Sequence, residues 1–220
     1  MKPFKLRKTR IAPHAILNLL AATILGTAVP LKQAHAFIVK IQPGTKSLYL
    51  QVGAGTISPG TFSAGGTPAN NGTINNVTVT VPAASLGAGS RPMLTDSTVI
   101  TSNYDGRAFC NIPSQVYVGG FHRDAGPPAT ANLTVTAPTA LVNVSGDLIP
   151  FNTISWISGG IGDATPTIPS GTFVGGASQM LLSIDRNNWF ESCLQFNYAN
   201  NQLVPAGTFT GRVRYTLSLP

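Results

Sequence analysis

Cys110 and Cys193 are the residues of this chain whose chemistry is simplest to predict, because two thiols in an oxidising compartment can join as a disulfide. They lie 83 positions apart. In the chain-entropy model, closing a loop of that length removes unfolded-state entropy worth about 4 kcal/mol. We therefore predict a disulfide between Cys110 and Cys193 in an exported chain, with two separate buried thiols as the alternative.

Acid–base or metal chemistry would have to use His122, which is the one histidine after residue 36. It is followed by Arg123 and Asp124, within a stretch from residue 121 to residue 130 that contains two adjacent prolines. This stretch is predicted to be a solvated loop, which would not hold the three side chains in a fixed site. Zinc needs three or four nitrogen, sulfur or carboxylate ligands, and one histidine with two distant cysteines does not supply them.

The acidic side chains after residue 36 do not form an evident catalytic pair. They are Asp96, Asp105, Asp124, Asp147, Asp163, Asp185 and Glu191. Most stand beside glycine or in polar turns, where aspartate commonly accepts hydrogen bonds from the local backbone. The Gly-x-Ser-x-Gly pattern of a nucleophile elbow and the glycine motifs that bind phosphate are absent from the sequence. The sequence thus predicts a protein that is not an enzyme and takes no metal or cofactor.

Aromatic residues leave a binding site for sugar as an open alternative. The candidates are Tyr104, Trp156, Trp189, Phe190 and Tyr198. Such rings could form a platform for a sugar, or they could pack the core of a β-sandwich, where aromatic side chains supply much of the buried area. We expect Trp156 in the core. Trp189 remains open to both interpretations because two polar residues, Asn187 and Asn188, precede it.

The basic character of the chain comes almost entirely from its first 36 residues. The whole sequence has a formal charge of +7, and after residue 36 its basic and acidic residues nearly balance. Nucleic-acid binding needs a face of clustered lysine and arginine. No nucleic-acid partner is therefore predicted.

Residues 1–36 have the layout of a secretory signal peptide. A basic start is followed by an apolar stretch from residue 15 to residue 29 and by a small-x-small cleavage site, Ala34-His35-Ala36. A retained membrane anchor is the alternative, but polar residues interrupt the apolar stretch, and a span needs about 20 predominantly apolar residues. We expect residues 37–220 to be exported and to form a single domain.

Short alternating segments dominate the part of the chain after residue 36. Apolar and polar residues alternate over residues 46–52, 73–81, 132–136 and 178–184, with glycine, proline, asparagine and aspartate between such segments. No window of a dozen residues has the apolar spacing of three and four that indicates a helix. These patterns predict an all-β fold, an antiparallel β-sandwich.

The last segment of the chain shows the alternation most clearly. One face carries Phe209, Gly211, Val213, Tyr215, Leu217 and Leu219, and the residues between them are threonine, arginine and serine. This period of two predicts a half-buried strand. Such a strand has to pair with something, because its edge would otherwise present unpaired amides and an apolar face to water.

This segment resembles the last strand of the fimbrial (pilus) subunits of the bacterial chaperone–usher pathway, a family that includes the spore-coat-U-like group. The resemblance rests on residues 207–211, Gly-Thr-Phe-Thr-Gly, and on the alternating apolar residues that follow them. The export signal, the cysteine pair and the strands rich in threonine, valine and glycine are also similar. The resemblance implies an immunoglobulin-like β-sandwich that lacks one strand.

The same resemblance implies a structural or minor subunit of a surface fibre, assembled by β-strand donation. A periplasmic chaperone would pair with the terminal strand, an outer-membrane usher would export the subunit, and other fibre subunits would be its neighbours at the cell surface. Phe37, Val39 and Ile41 would be the segment donated to the next subunit. A host glycan or surface receptor would be a further partner. The alternative is a secreted or periplasmic carbohydrate-binding β-sandwich that does not polymerise.

Overall fold

Strands make up almost all of the regular structure in the computed structural model of this protein, which describes residues 38–69 and 73–220. All of these residues belong to one compact unit. The predicted signal peptide and Phe37 lie outside the described residues. Within the described ranges, no helix has the length and apolar character needed to span a membrane.

Sixteen strands and two short 3₁₀ helices follow one another along the described residues. The strands are β1 Val39–Lys40, β2 Ser47–Val52, β3 Thr56–Ser58, β4 Thr67–Ala69, β5 Val77–Thr78, β6 Arg91–Pro92, β7 Leu94–Thr95, β8 Gln115–Arg123, β9 Thr130–Thr136, β10 Ala140–Val142, β11 Leu148–Pro150, β12 Ile154–Gly159, β13 Gly171–Thr172, β14 Ser178–Asp185, β15 Asn188–Tyr198 and β16 Arg214–Ser218. The 3₁₀ helices are Ala83–Ser85 and Phe151–Thr153.

The first and larger sheet is built around β15, its longest strand. The strand order is β13-β12-β15-β8-β2, and β1 and β6 also pair with β15. All of these pairings are antiparallel. Strand β2 pairs with β8 alone among the described strands, so β2 is an edge of this sheet.

The second sheet has three antiparallel strands in the order β14-β9-β16. Apolar side chains of its central strand, Ala131, Leu133 and Val135, are buried against the first sheet, in one core that also contains Trp156 and Phe190. Two layers with a shared apolar core form a β-sandwich. The all-β antiparallel sandwich predicted from the sequence is therefore confirmed.

A disulfide joins Cys110 to Cys193 and lies outside this main core, with Phe109 and Tyr117. Cys193 belongs to β15, while Cys110 belongs to the connection that precedes β8. The Cα atoms are 5.5 Å apart, a separation typical of disulfides. The predicted pairing is confirmed, and it ties a long surface connection to the centre of the first sheet.

The structure of residues 121–130 differs from the solvated loop that the sequence predicts. Strand β8 continues through Phe121 and His122 to Arg123, so the solvated loop starts later than expected. His122 is completely buried. The adjacent prolines Pro127 and Pro128 do mark a loop, but the strand before it is held by pairing on both sides, to β2 and β15. Long-range pairing therefore outweighs the local signal.

Strand β16 covers Arg214–Ser218 and is shorter than the alternating sequence from Phe209 to Leu219. Backbone pairing to β9 covers β16 alone, and upstream of it a single bridge joins Thr210 to Val142. The predicted face is nevertheless present: Phe209, Val213, Tyr215, Leu217 and Leu219 are half-buried against the main core, and the residues between them are exposed. The alternation thus predicts the orientation of the side chains correctly, although not the length of the ladder.

Candidate strand-binding groove

Strand β2 is one wall of an open flank of the sandwich. Leu48, Leu50 and Val52 lie opposite His122, Gly120 and Val118 of β8, so they share the inward face of the sheet. Leu50 and Val52 pack against the main core, whereas Leu48 remains 39% exposed. An inward-facing leucine with this much exposure shows that the edge of β2 is uncovered there.

A second extended segment starts close to the end of β2 and contains β5, which pairs with β7. The side chain of Asn75 accepts a hydrogen bond from the backbone N–H of Ala54, just beyond the end of β2. From there, Val77, Val79 and Val81 pack against the same core as Leu50 and Val52. The threonines between these valines are exposed. The residues after Asn75 therefore extend the apolar wall.

Strand β16 is the facing wall. It pairs with β9 on one side, and the described residues contain no strand on its other side. Its inward side chains include Tyr215, and burial raises the pKa of this tyrosine. Arg214 and Thr216 point outward and are exposed. The strand is thus apolar towards the core and polar towards solvent.

The two walls approach each other without joining. Cα atoms of β16 come within 8 Å of Cα atoms of β2, yet no ladder connects these two strands. Among the described residues, the outer edges of β2 and β16 each present backbone amides and carbonyls that face no partner strand. We call this pair of neighbouring edges the edge groove and define its walls as β2 with Val77, Val79 and Val81, and β16 with Val213 and Leu219. A strand lying between the two walls would need them about 9.5 Å apart, so an added strand would pair with one of the two edges.

Gly211 holds the chain close to the core where it enters β16. A Cβ atom at this position would lie 2.7 Å from Cδ2 of Leu141 and 2.9 Å from Cε2 of Phe151. Real Cβ atoms do not approach other carbon atoms so closely, so a side chain here would push the terminal segment outward. Gly211 therefore belongs to the predicted face as the position without a side chain, which lets Phe209 and Val213 reach the core on either side.

The segment expected to act as donor is held by its own chain. Val39 in β1 pairs with Trp189 of β15, and the N–H of Ile41 donates a hydrogen bond to the carbonyl of Asn187. Ile41 is buried. Val39 and Ile41 therefore occupy the edge of β15 and do not reach the edge groove, while Phe37 lies outside the described residues.

A buried carboxylate is the chemical feature that the sequence did not single out. Glu191 accepts hydrogen bonds from the hydroxyl of Tyr117 at 2.8 Å and from Nε1 of Trp189 at 3.3 Å. Burial raises the pKa of Glu191, and its hydrogen bonds partly oppose that shift. Next to it, the side chain of Asn103 donates to Gln51. This network fixes the connection before β8 onto the sheet, because buried polar groups keep their partners together.

The aromatic residues considered for a sugar platform are not exposed. Trp156, Trp189, Phe190 and Tyr198 are buried, and Tyr104 is half-buried. Trp156, Phe190 and Tyr198 belong to the main core, whereas Trp189 lies on the outer face of the first sheet, stacked at 5.2 Å beneath Phe62. The expected place of Trp156 is confirmed, and the side chain of Trp189 is covered by the chain itself.

The remaining titratable residues do not converge. In residues 38–69 and 73–220, no group of three histidine, cysteine, aspartate or glutamate side chains could hold a metal ion. Asp96 is exposed, and hydrogen bonds from Asn75 and Asn76 lower its pKa; it secures the start of the extended segment that lines the edge groove. Asp105 pairs with Arg107 at the surface.

The edge groove is defined by geometry: β2 and β16 are neighbouring strands whose outer edges are unpaired among the described residues, and each carries half-buried apolar side chains. Comparison of the chain with protein-family models, with curated proteins and with solved structures finds no match.

Proposed function

We propose that this protein is a structural or minor subunit of a bacterial surface fibre and that its edge groove takes a β-strand from a neighbouring subunit. The observation that carries the proposal is that β2 and β16 are neighbouring edges without a partner strand in the part of the chain that the structure describes, with apolar residues turned towards the same core. An added strand would satisfy exposed backbone groups and cover the half-buried side chains, which is the physical basis of β-augmentation.

The alternation of the walls supports a single register for the added strand. Residues on one face of a strand are two positions apart, so a slip of one residue would turn every apolar side chain of the partner towards water. Tyr215 and Leu217 on one wall, and Leu50 and Val52 on the other, are the half-buried contacts that would favour one register. A partner strand with apolar residues at alternate positions fits this requirement.

The same groove would also bind a periplasmic chaperone, the transient partner of subunits in the chaperone–usher pathway. An exported subunit with two open edges would be prone to self-association, since unpaired edges are templates for other strands. A periplasmic chaperone that lends a strand to β16 would protect it until the usher passes it into the fibre. In this proposal the protein is exported to the periplasm and ends at the cell surface.

Donation of residues 37–41 to the next subunit has a structural condition. Val39 and Ile41 have to leave the edge of β15 before they can enter another groove. The contacts that must be broken are the two-residue pairing of β1, the backbone hydrogen bond of Ile41 to Asn187 and the packing of the buried Ile41 side chain. The donor role of Phe37, Val39 and Ile41 thus requires β1 to be an exchangeable strand.

A charge at the mouth of the edge groove provides the test. Leu48 is 39% exposed, so Leu48→Asp should leave the folded subunit stable while placing a charge where the partner strand has to enter. The matched control is Ile157→Asp, because Ile157 is an exposed apolar residue of β12, 59% exposed, away from the groove. Both variants would be produced with the native export machinery.

The readouts are the thermal stability of each isolated subunit and the yield of surface fibres by electron microscopy. We expect both variants to fold, with fibres lost in Leu48→Asp and retained in Ile157→Asp. Equal yields of fibres from the two variants would contradict strand entry beside β2. The absence of fibres or larger assemblies in the unmodified protein would refute the proposed function as a whole.

A further inference from the structure

His122 is a buried titratable side chain that the edge groove does not use. Its side chain has no exposure to solvent. Neither ring nitrogen has a hydrogen-bond partner among the described residues. Most buried polar groups are hydrogen-bonded, so an imidazole without partners calls for a physical explanation.

The position of His122 links it to the wall of the groove. In β8 it lies directly opposite Leu48 of β2 on one side and Asn188 of β15 on the other. It shares the inward face of β8 with Val118, which belongs to the main core. Leu48 is the cross-strand neighbour of His122 on this face, so a change in the state of the imidazole acts on the side chain of β2 beside it.

The charged groups around His122 do not stabilise its protonated form strongly. Lys46, just before β2, and Arg186, between β14 and β15, disfavour a positive charge, whereas Asp124 after β8 favours one. Burial is the main reason that the pKa of His122 lies below its usual value of 6.5. The neutral imidazole is accordingly the form that fits the folded sandwich.

We propose that His122 makes the edge strand β2 acid-sensitive. In acid the imidazole takes up a proton in molecules whose β2 corner has opened to water, and the charged ring no longer fits beside Leu48 in the closed sheet. Acidification thus shifts the population towards an opened edge. This device operates in the single chain and does not depend on strand donation.

The lowered pKa of His122 determines whether acid stabilises or destabilises the closed edge. A histidine whose pKa is lower in the folded state contributes stability that is present above about 6.5 and is lost as the pH falls towards the folded value. Between these two pH values the equilibrium constant for opening rises by up to about tenfold for each pH unit. Glu191 has the opposite shift, so it favours the folded state in acid and cannot produce the same loss.

Hydrogen exchange of the full chain, followed by mass spectrometry between pH 4.5 and 7.5, tests the proposal. Protection factors, corrected for the intrinsic exchange rate, would be compared for peptides from β2 and from β12, which lies across β15 from β8. We expect protection of β2 to fall by up to about tenfold per pH unit below about 6.5, with a smaller change in β12. In His122→Leu, which removes the titrating group and breaks no side-chain hydrogen bond to a described residue, the fall should be absent.

Two results would overturn the inference. One is an equal fall in protection of β2 in His122→Leu and in the unmodified protein, and the other is no fall in the unmodified protein. Should His122→Leu fail to fold, His122→Gln, which keeps a polar side chain but has no group that titrates in this range, replaces it with the same two overturning results.

Discussion

Replacing Tyr215 by aspartate tests whether the inward face of β16 is buried in the alternating sense on which the edge groove depends. Tyr215 lies opposite Val135, a fully buried residue of β9, and packs against the main core. Thr216, its neighbour, is exposed on the outward face. The two aspartate variants therefore add the same charge, one position apart, on opposite sides of one strand.

The expected cost has two parts. Full burial of a large apolar side chain is worth about 2–3 kcal/mol, and a half-buried tyrosine accounts for about half of that. The carboxylate must also lose water or become protonated, and a rise of its pKa by about 1.5–2.5 units, part of the range seen for buried acids, costs about 2–3.5 kcal/mol. Together these give about 3–5 kcal/mol for Tyr215→Asp, a large share of the 5–15 kcal/mol typical of a folded domain. Thr216→Asp should stay within about 0.5 kcal/mol.

Urea denaturation followed by tryptophan fluorescence measures both variants, since Trp156 and Trp189 are buried in the folded protein. At a slope of about 2 kcal/mol per molar urea, Tyr215→Asp should lower the midpoint by about 2 M. Tyr215→Phe is the control for loss of the hydroxyl group alone, and it should keep the midpoint nearly unchanged. Equal midpoints for Tyr215→Asp and Thr216→Asp would refute the burial of this face, and with it the proposed groove.

Two further predictions concern the outer face of the first sheet. Breaking the Cys110–Cys193 disulfide with reductant should lower the free energy of unfolding by about 4 kcal/mol, as expected for a loop of 83 residues. The reduction should require denaturant, because both cysteines are buried. Unchanged urea midpoints after verified reduction would contradict this prediction. Because burial raises the pKa of Glu191 above 4.5, its contribution to stability is present below that pH and is lost as the pH rises through the folded value. Glu191→Gln should remove this loss, which urea midpoints between pH 4 and pH 8 would detect as a flatter profile; an identical profile in both proteins would contradict it.

Local patterns in the sequence were sufficient for the class of the fold and for the orientation of the terminal strand. The period of two from Phe209 to Leu219 is a property of a single extended segment, and the face it predicts is the face that packs against the core. The cysteine pair could also be predicted, because two cysteines in an exported chain have only each other as partners. Trp156 followed from the general tendency of large rings to fill a sandwich core.

Which strands lie side by side was decided by tertiary structure. β16 pairs with β9, about 80 residues earlier in the chain, and Thr134 and Thr216 at that ladder are 82 positions apart. No local pattern encodes a partner at such a distance, since the register depends on which apolar faces can share one core. The adjacency of the edges β2 and β16 is therefore a product of the assembled sandwich.

His122 is a single residue at which the local sequence predicts one environment and the tertiary structure produces another. Its sequence neighbours, a charged pair followed by a proline-rich stretch, resemble those of an exposed loop. Pairing of β8 with β2 and β15 places it instead in the interior, where no described residue forms a hydrogen bond with its ring nitrogens. The sequence by itself determined the alternating faces, because side-chain direction along a strand is local. Only the tertiary structure decided which faces and edges remain open, because burial depends on strands that are remote in the chain.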